Sequence, residues 1–137
     1  MYIQIEKQRE KTVMAYYTQE QKRQVAPQIK ALLKKYNMKG SLSVSDNSTV
    51  VLNLKEGVID FGQNAFGGKI SINVYWIDEH YNGIAREFLN EAYAILMQGN
   101  HNNSDIMTDY FDIGWYVEIN VGRWDQPYKL WKKVLMF

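Results

Sequence analysis

Three aspartates stand close together in one stretch of the chain, at spacings that would place their carboxylates on one face of a helix. They are Asp105, Asp109 and Asp112, at positions i, i+4 and i+7. Clustered carboxylates can bind Mg²⁺ or Ca²⁺. The spacing nevertheless differs from that of the calcium-binding loop, and no glutamate follows at the position of its bidentate ligand. We therefore interpret these residues as a capped turn with solvated carboxylates, and we expect no metal site and no cofactor.

Histidine and cysteine chemistry is limited by the residue counts. The chain has two histidines, His80 and His101, and no cysteine, which excludes thiolate catalysis and disulfides. His101 precedes Asp105 by four residues, so a His–Asp pair for metal binding or acid–base catalysis can be drawn from the sequence. The chain contains neither the H-E-x-x-H motif of zinc hydrolases nor a G-x-S-x-G nucleophile elbow. We therefore expect a protein that is not an enzyme.

The stretch that holds the aspartates also has the composition of a contact surface. Aromatic side chains lie among the carboxylates and along the strand that follows them. Acidic and aromatic side chains together can engage a basic, nucleic-acid-binding groove on another protein. We predict a protein-binding site that consists of Asp105, Asp109, Tyr110, Asp112, Tyr116 and Trp124.

The cations of the first predicted helix favour a different partner. Proteins that bind single-stranded nucleic acid combine such cations with aromatic side chains on which bases stack. A simpler interpretation is a solvated helix surface, with lysines near the C-terminal end of the helix dipole. The alternative site, for nucleic acid, consists of Lys22, Arg23, Lys30, Lys34 and Lys35.

The charge balance argues against a protein that coats nucleic acid by bulk electrostatics. The chain has 137 residues, with 16 basic and 15 acidic side chains and a formal net charge of +1. A local basic patch is compatible with this balance. No apolar run approaches the ~20 residues that cross a bilayer, and the start MYIQIEKQREK has charges where a signal peptide needs its apolar core. We expect a cytoplasmic protein without a membrane partner.

A helix near the start of the chain must position the cations. Thr18 and Gln21 form the capping-box pattern at its beginning. Its apolar residues recur at helical spacing, at Val25, Ile29, Leu32, Leu33 and Tyr36. Pro27 leaves two alternatives, because proline removes a backbone donor and crowds the preceding turn. Either the helix kinks at Pro27, or it begins near Val25 with Pro27 in its first turn.

A hairpin follows this helix. Residues 42–44 and 49–54 have the composition of strands, and the turn cluster Ser45-Asp46-Asn47-Ser48 separates them. Regular alternation of apolar and polar residues predicts further strands at 70–76 and 115–121. Hairpin strands ahead of a second helix favour a mainly antiparallel sheet with its helices on one face.

Two further helices complete the predicted fold. One lies between Asn82 and Gly99, and a short amphipathic one starts at Asp125 or Pro127. We therefore predict a single α+β domain at 14–137, with a mainly antiparallel sheet of four or five strands, two main helices on one face and a short C-terminal helix. Residues 1–13 are either an N-terminal extension or an edge strand that begins at Tyr2.

Two parts of the chain resemble a known type of small domain. They are APQIKALLKKYNMKGSLSV at 26–44, and INVYWID at 72–78 together with SDIMTDYFDIGWYVEINVG at 104–122. They resemble the "large polyvalent protein associated" domains of phages, plasmids and conjugative elements. The strand around Trp76-Ile77-Asp78 and the run Met107-Thr108-Asp109-Tyr110 match best, whereas the 58–69 loop and both ends depart from the pattern.

This resemblance implies an origin for the protein, but it identifies no catalytic residues. It implies an accessory protein of a mobile genetic element, and we expect a counter-defence factor that contacts restriction or CRISPR machinery directly. The expected partner is therefore a host protein or a protein encoded by the element, and nucleic acid is the alternative partner. The aromatic share of 14% also favours self-association.

Overall fold

The computed structural model describes residues 15–62, 69–100, 114–123 and 125–131. In chain order they form helix α1 (Gln19–Lys35), strands β1 (Met38–Ser45), β2 (Thr49–Gly57) and β3 (Ile70–Ile72), helices α2 (Ile77–His80) and α3 (Gly83–Leu96), and strands β4 (Tyr116–Val121) and β5 (Lys129–Leu130). The predicted α+β class is confirmed. No helix in the described part of the chain combines the length and the apolar character that a membrane span requires.

Helix α1 begins where its capping residues predict. The backbone N–H of Gln21 donates to the Thr18 hydroxyl at 3.0 Å, and the backbone N–H of Thr18 donates to the Gln21 side chain at 2.8 Å. These two bonds satisfy donors that a helix leaves open at its start. Since α1 begins at Gln19, Pro27 lies inside the helix. The alternative of a start near Val25 is therefore wrong.

Strands β1 and β2 form the predicted hairpin. Asp46 and Asn47 both have a φ of 54°, a left-handed conformation that aspartate and asparagine adopt more readily than other side chains. The backbone N–H of Ser48 donates to the Ser45 carbonyl at 3.1 Å and closes the turn. The turn cluster thus sets the antiparallel pairing of the two strands.

The sheet is mixed rather than mainly antiparallel. Its order is β1-β2-β4-β3, and β5 pairs with β2 beyond the end of β4. The two outer pairs, β1–β2 and β3–β4, are antiparallel, but β2 runs parallel to both β4 and β5. The chain between β2 and β4 contains β3 and two helices, which is long enough for the crossover that a parallel pair needs. The alternation of apolar and polar residues within a strand does not indicate whether the neighbouring strand runs parallel or antiparallel to it.

The third strand is shorter than its alternation predicts. Strand β3 ends at Ile72, and the next residues form a turn. The side chain of Asn73 accepts the backbone N–H of Tyr75 at 3.1 Å, and its carbonyl accepts that of Trp76 at 3.0 Å. An asparagine that bonds its own following backbone competes with the sheet ladder. The predicted strand at 70–76 is therefore wrong beyond Ile72.

The predicted helix from Asp125 or Pro127 is replaced by a strand in the described residues. Lys129 and Leu130 form β5, with Glu56 and Gly57 of β2 as their partners. Strand β2 extends past the end of β4, so its backbone groups at this position need a partner. Residues 132–137, which include the remaining apolar positions of the predicted helix, lie outside the described residues.

Strand alternation directs one face of the sheet to the helices. Val50, Leu52 and Leu54 of β2 are buried, as are Ile119 and Val121 of β4. They form one core with the apolar faces of α1 and α3. The other face of the sheet is polar and includes a row of hydrogen-bonded side chains, Ser43, Asn53, Asn120 and Ser71, one from each of four strands.

Candidate nucleic-acid interface

Strand β2 changes its parallel partner near its carboxyl end. Its residues up to Leu54 pair with β4, where Leu54 lies opposite Val121, whereas Glu56 pairs with β5. Gly122 follows with a φ of 77° and leads the chain away from β2, a conformation that glycine adopts without strain. Lys55 lies between the two pairings. Open sheets with parallel strands bind ligands at the carboxyl ends of those strands, so this discontinuity is a natural place for a pocket.

A pocket of ≈ 290 Å³ lies at this discontinuity. We call it the end pocket. Its cationic lining consists of Lys55, Arg123 and Lys129. A tight hairpin forms one wall, because Arg123 donates its backbone N–H to the Gln126 carbonyl at 2.8 Å and Gln126 returns a bond at 3.1 Å. Part of the pocket wall therefore consists of hydrogen-bonded backbone, whose position does not depend on the cationic side chains.

A wider groove of ≈ 640 Å³ adjoins the end pocket on the side of α1. We call it the lysine groove. Its lysines are Lys30 and Lys34 of α1, Lys39 of β1 and Lys55 of β2. Lys30 and Lys34 are four residues apart and so lie on the same face of α1. Lys55 and Glu56 line both cavities, so the end pocket and the lysine groove are neighbours that share part of their lining.

Sheet register brings a carboxylate between two of these cations. Lys39 and Lys129 are both in register with Glu56, on opposite sides of β2. Glu56 accepts the indole N–H of Trp131 at 2.9 Å, and the Lys39 ammonium lies 5.8 Å from the centre of the Trp131 ring. Among the described residues that line the two cavities, Glu56 is the one acidic side chain. Its hydrogen bond holds an aromatic ring in the lysine groove.

The cations of the two cavities form no ion pair within the described part of the chain. The ion pairs that the structure describes lie elsewhere: Arg23–Glu20 at 2.8 Å, Lys35–Glu91 at 3.1 Å and Arg86–Asp78 at 3.2 Å. Unpaired like charges on a concave surface focus a positive potential, which attracts anions. The arrangement is therefore that of an anion-binding surface rather than a set of structural ion pairs.

A polar contact at the end of α1 keeps one predicted cation out of the groove. Lys35 donates to the Glu91 carboxylate of α3, and the Tyr36 hydroxyl donates to the same carboxylate. The hydrogen bond from Tyr36 and then that from Lys35 lower the pKa of Glu91. The bond to Glu91, assisted by burial, raises the pKa of Tyr36 to about 12. This contact connects α1 to α3, whereas the buried apolar residues of α1 set the face that it presents to the lysine groove.

The five cations predicted for nucleic acid are thus separated by the structure. Lys30 and Lys34 line the lysine groove. Arg23 and Lys35 are held by glutamates, and Lys22 lies on α1 outside both cavities. Sequence reasoning missed the other cations of the surface, namely Lys39, Lys55, Arg123 and Lys129, because each comes from a different segment and no local spacing connects them.

Most of the predicted protein-binding site lies outside the described residues. This holds for Asp105, Asp109, Tyr110, Asp112 and Trp124, and also for His101. Tyr116, the first residue of β4, has 47% of its surface exposed. The ring of His80 stacks on that of Trp76, with 6.2 Å between the ring centres. The described residues contain no group of three or more histidines and carboxylates that could hold a metal ion.

Comparisons with known proteins add no relative. The chain matches no protein-family model, no curated protein and no solved structure. The resemblance to the large polyvalent protein associated domains therefore stays a prediction from the segments that suggested it.

Proposed function

We propose that this protein is a non-enzymatic module that binds single-stranded nucleic acid along the lysine groove and the end pocket. The observation that carries this proposal is the convergence of cations from separate segments on one surface. They are Lys30, Lys34, Lys39, Lys55, Arg123 and Lys129. Because the whole chain has a formal net charge of only +1, this concentration leaves the rest of the chain net acidic.

The shape and the residue types favour a nucleic-acid strand over a compact anion. Two neighbouring cavities of ≈ 290 and ≈ 640 Å³ offer space for consecutive phosphates of one strand. Lysines act as point charges towards phosphate and carry no base specificity. The Trp131 ring adds an aromatic surface of the kind on which bases stack. We therefore expect binding that depends strongly on salt and only weakly on base sequence.

The direct test is fluorescence anisotropy of a labelled oligothymidylate at ~50 and ~200 mM salt, because each phosphate contact with a single strand contributes about 0.7 to the slope of log K against log salt. We expect Lys34→Gln and Lys55→Gln each to lower the affinity and to reduce this slope. Lys22→Gln and Lys69→Gln are matched controls, since both remove a lysine outside the two cavities. They should retain the wild-type slope.

Two results would contradict the proposal. One is the absence of binding at both salt concentrations. The other is an equal loss of affinity in the groove variants and in the controls, because that would indicate attraction by total charge and not by this surface. Circular dichroism of each variant establishes that the fold is kept.

Direct binding to a host protein or to a protein of a mobile element is the second candidate function. The observation in its favour is the exposure of aromatic side chains that flank α2, with 80% of Tyr75 and 51% of Trp76 accessible. Exposed aromatic side chains of this size are frequent anchors in protein interfaces. Affinity capture from bacterial lysate with the wild type and a Tyr75→Ser, Trp76→Ser double variant tests it. Identical captured proteins from both would count against this surface.

A further inference from the structure

We infer that the end pocket binds the terminal phosphate of a nucleic-acid strand whose next phosphates lie in the lysine groove. This inference rests on the proposed function and adds which part of the strand is recognised. It concerns Lys55, Arg123 and Lys129, together with the hairpin that connects β4 to β5.

The position of the end pocket supports a strand end rather than a passing strand. The lysine groove and the end pocket share Lys55 and Glu56, and the hairpin residues Arg123 and Gln126 line the end pocket alone. Pro127 belongs to the same lining. The end pocket is the smaller and more enclosed of the two cavities, so a strand laid along the wider groove would place its last phosphate there.

The charge of the end pocket matches a terminal phosphate better than an internal one. Three cations and one carboxylate, Glu56, line its ≈ 290 Å³. A phosphomonoester has a second pKa near 6 and carries between ~1.5 and 2 negative charges at neutral pH, whereas an internal phosphodiester carries one. Four cations and the same Glu56 line the ≈ 640 Å³ of the lysine groove, so the cations are more concentrated in the end pocket, which favours the more highly charged monoester there.

The two cavities also differ in the type of cation that lines them. Arg123 is the one arginine among the described residues that line the two cavities, and it belongs to the end pocket. A guanidinium offers two parallel donors in a geometry that fits a phosphate, while an ammonium acts as a point charge. Gln126 also lines the pocket, and a glutamine side chain can supply amide N–H donors. Arg123, whose hydrogen bonds to phosphate are directional, thus lies in the pocket to which we assign the most highly charged phosphate.

Three oligothymidylates of equal length distinguish the possibilities, one with a 5′-phosphate, one with a 3′-phosphate and one with hydroxyls at both ends. Each carries an internal label, and binding to the full chain is measured by anisotropy. We expect one phosphorylated form to bind on the order of tenfold more tightly than the hydroxyl form, as charge-assisted hydrogen bonds to one group imply. Arg123→Gln should remove this preference, so the phosphorylated form should lose on the order of tenfold more affinity than the hydroxyl form. Lys34→Gln should weaken all three forms by a similar factor and keep the preference.

The outcomes separate this inference from the proposed function. Equal binding of all three oligonucleotides would overturn the terminal-phosphate inference and leave nucleic-acid binding intact. No binding of any of them would overturn both. Lys129→Gln provides a second variant of the pocket if Arg123→Gln does not fold, and it should reduce the same preference.

A free anion is the other source of the same chemistry. Inorganic phosphate and thymidine monophosphate, each tested as a competitor, probe it. If inorganic phosphate binds to the wild type and not to Arg123→Gln, while the phosphorylated oligonucleotides have no advantage, the pocket is a free-phosphate site and the inference is wrong. A preference for a phosphorylated strand that competes only weakly with inorganic phosphate supports it.

Discussion

The two ends of the parallel pair β2–β4 differ in how their polar groups are used. At the amino ends, backbone hydrogen bonds connect the strands to the segments that precede them. The Tyr16 N–H donates to the Gly114 carbonyl at 2.8 Å, and the Tyr17 N–H donates to the Asn47 carbonyl at 2.7 Å. The Tyr116 N–H donates to the Ser48 carbonyl at 2.9 Å. At the carboxyl ends, β2 changes partner at Lys55, and the cations that line the resulting cavities form no ion pair with any described residue. We call these regions the closed end and the open end.

Side chains reinforce the closed end. The indole N–H of Trp115 donates to the Leu96 carbonyl at 3.0 Å. The Asn100 amide exchanges hydrogen bonds of 2.8 and 2.9 Å with the backbone of Trp115. The ring of Trp115 also meets that of Tyr17 edge-on, with 5.2 Å between their centres. We therefore expect the closed end to carry stability, and the open end to carry binding at some cost in like-charge repulsion.

Removal of the central ring of the closed end should have the largest effect on stability. Trp115 is buried, and large-to-small substitution of a buried aromatic side chain costs about 3–5 kcal/mol. Urea unfolding of Trp115→Ala should show this loss, while the folded fraction binds oligonucleotide with wild-type affinity. Trp115→Phe, which keeps a ring and loses the bond to Leu96, should cost less. A loss below about 1 kcal/mol in Trp115→Ala would contradict the assignment of stability to this end.

Neutralisation of the cations at the open end should lower oligonucleotide affinity and leave the free energy of unfolding almost unchanged. Substitution of Lys34, Lys39 and Lys55 by glutamine together should lower oligonucleotide affinity on the order of a hundredfold and reduce the salt slope by about 2. The free energy of unfolding should stay within about 0.5 kcal/mol of the wild type or rise, because these side chains form no ion pair in the described residues. Marked destabilisation of this triple variant would show that the two ends do not divide their roles in this way.

A smaller effect is expected within the closed end. The hydroxyl of Tyr17 is buried and has no hydrogen-bond partner in the described part of the chain, and burial raises its pKa. An unpaired buried hydroxyl carries a desolvation cost. We expect Tyr17→Phe to keep the ring contact with Trp115 and to gain about 1 kcal/mol of stability. A thermal melt that shows a loss of stability would indicate that the hydroxyl has a stabilising contact.

The smallest effect concerns the contact between Glu91, Lys35 and Tyr36, at the C-terminal end of α1. The pKa of Glu91 is lowered in the folded chain from its usual 4.5, so its contribution is present above pH 4.5 and is lost as the pH falls below it. Partly exposed pairs of this kind contribute less than about 1 kcal/mol. Melting temperatures of wild type and Glu91→Gln should therefore differ slightly at pH 7 and converge as the pH falls. A gap that widens in acid would contradict this assignment.

Tyr36 should produce the matching change in alkali. Its pKa rises from 10.0 to about 12 in the folded chain, so the stability that it contributes is present below pH 10 and is lost as the pH rises from there towards 12. Tyr36→Phe should lack this alkaline decrease. A wild type whose melting temperature falls no faster than that of the variant above pH 10 would count against the hydrogen bond to Glu91.

Local signals predicted the elements that depend on neighbours in sequence. The capping box of Thr18 and Gln21 starts α1, and the Asp46-Asn47 turn closes the hairpin. At Asn73 two local signals disagree. The alternation of apolar and polar residues predicted a strand up to Trp76, but the hydrogen bonds of Asn73 to the following backbone end the strand earlier. The strand at Lys129 replaced a predicted helix because a distant segment, Glu56–Gly57, supplied a partner.

The sequence by itself determined the class of the fold, the apolar face of α1, the hairpin and the absence of cysteine chemistry. Each of these depends on residue type or on hydrogen bonds between residues a few positions apart. Only the tertiary structure decided that β2 runs parallel to β4 and then to β5, and that cations between Lys30 and Lys129 share one surface. The physical reason is that the pairing of distant strands is selected by the packing of the whole core, which no local pattern records.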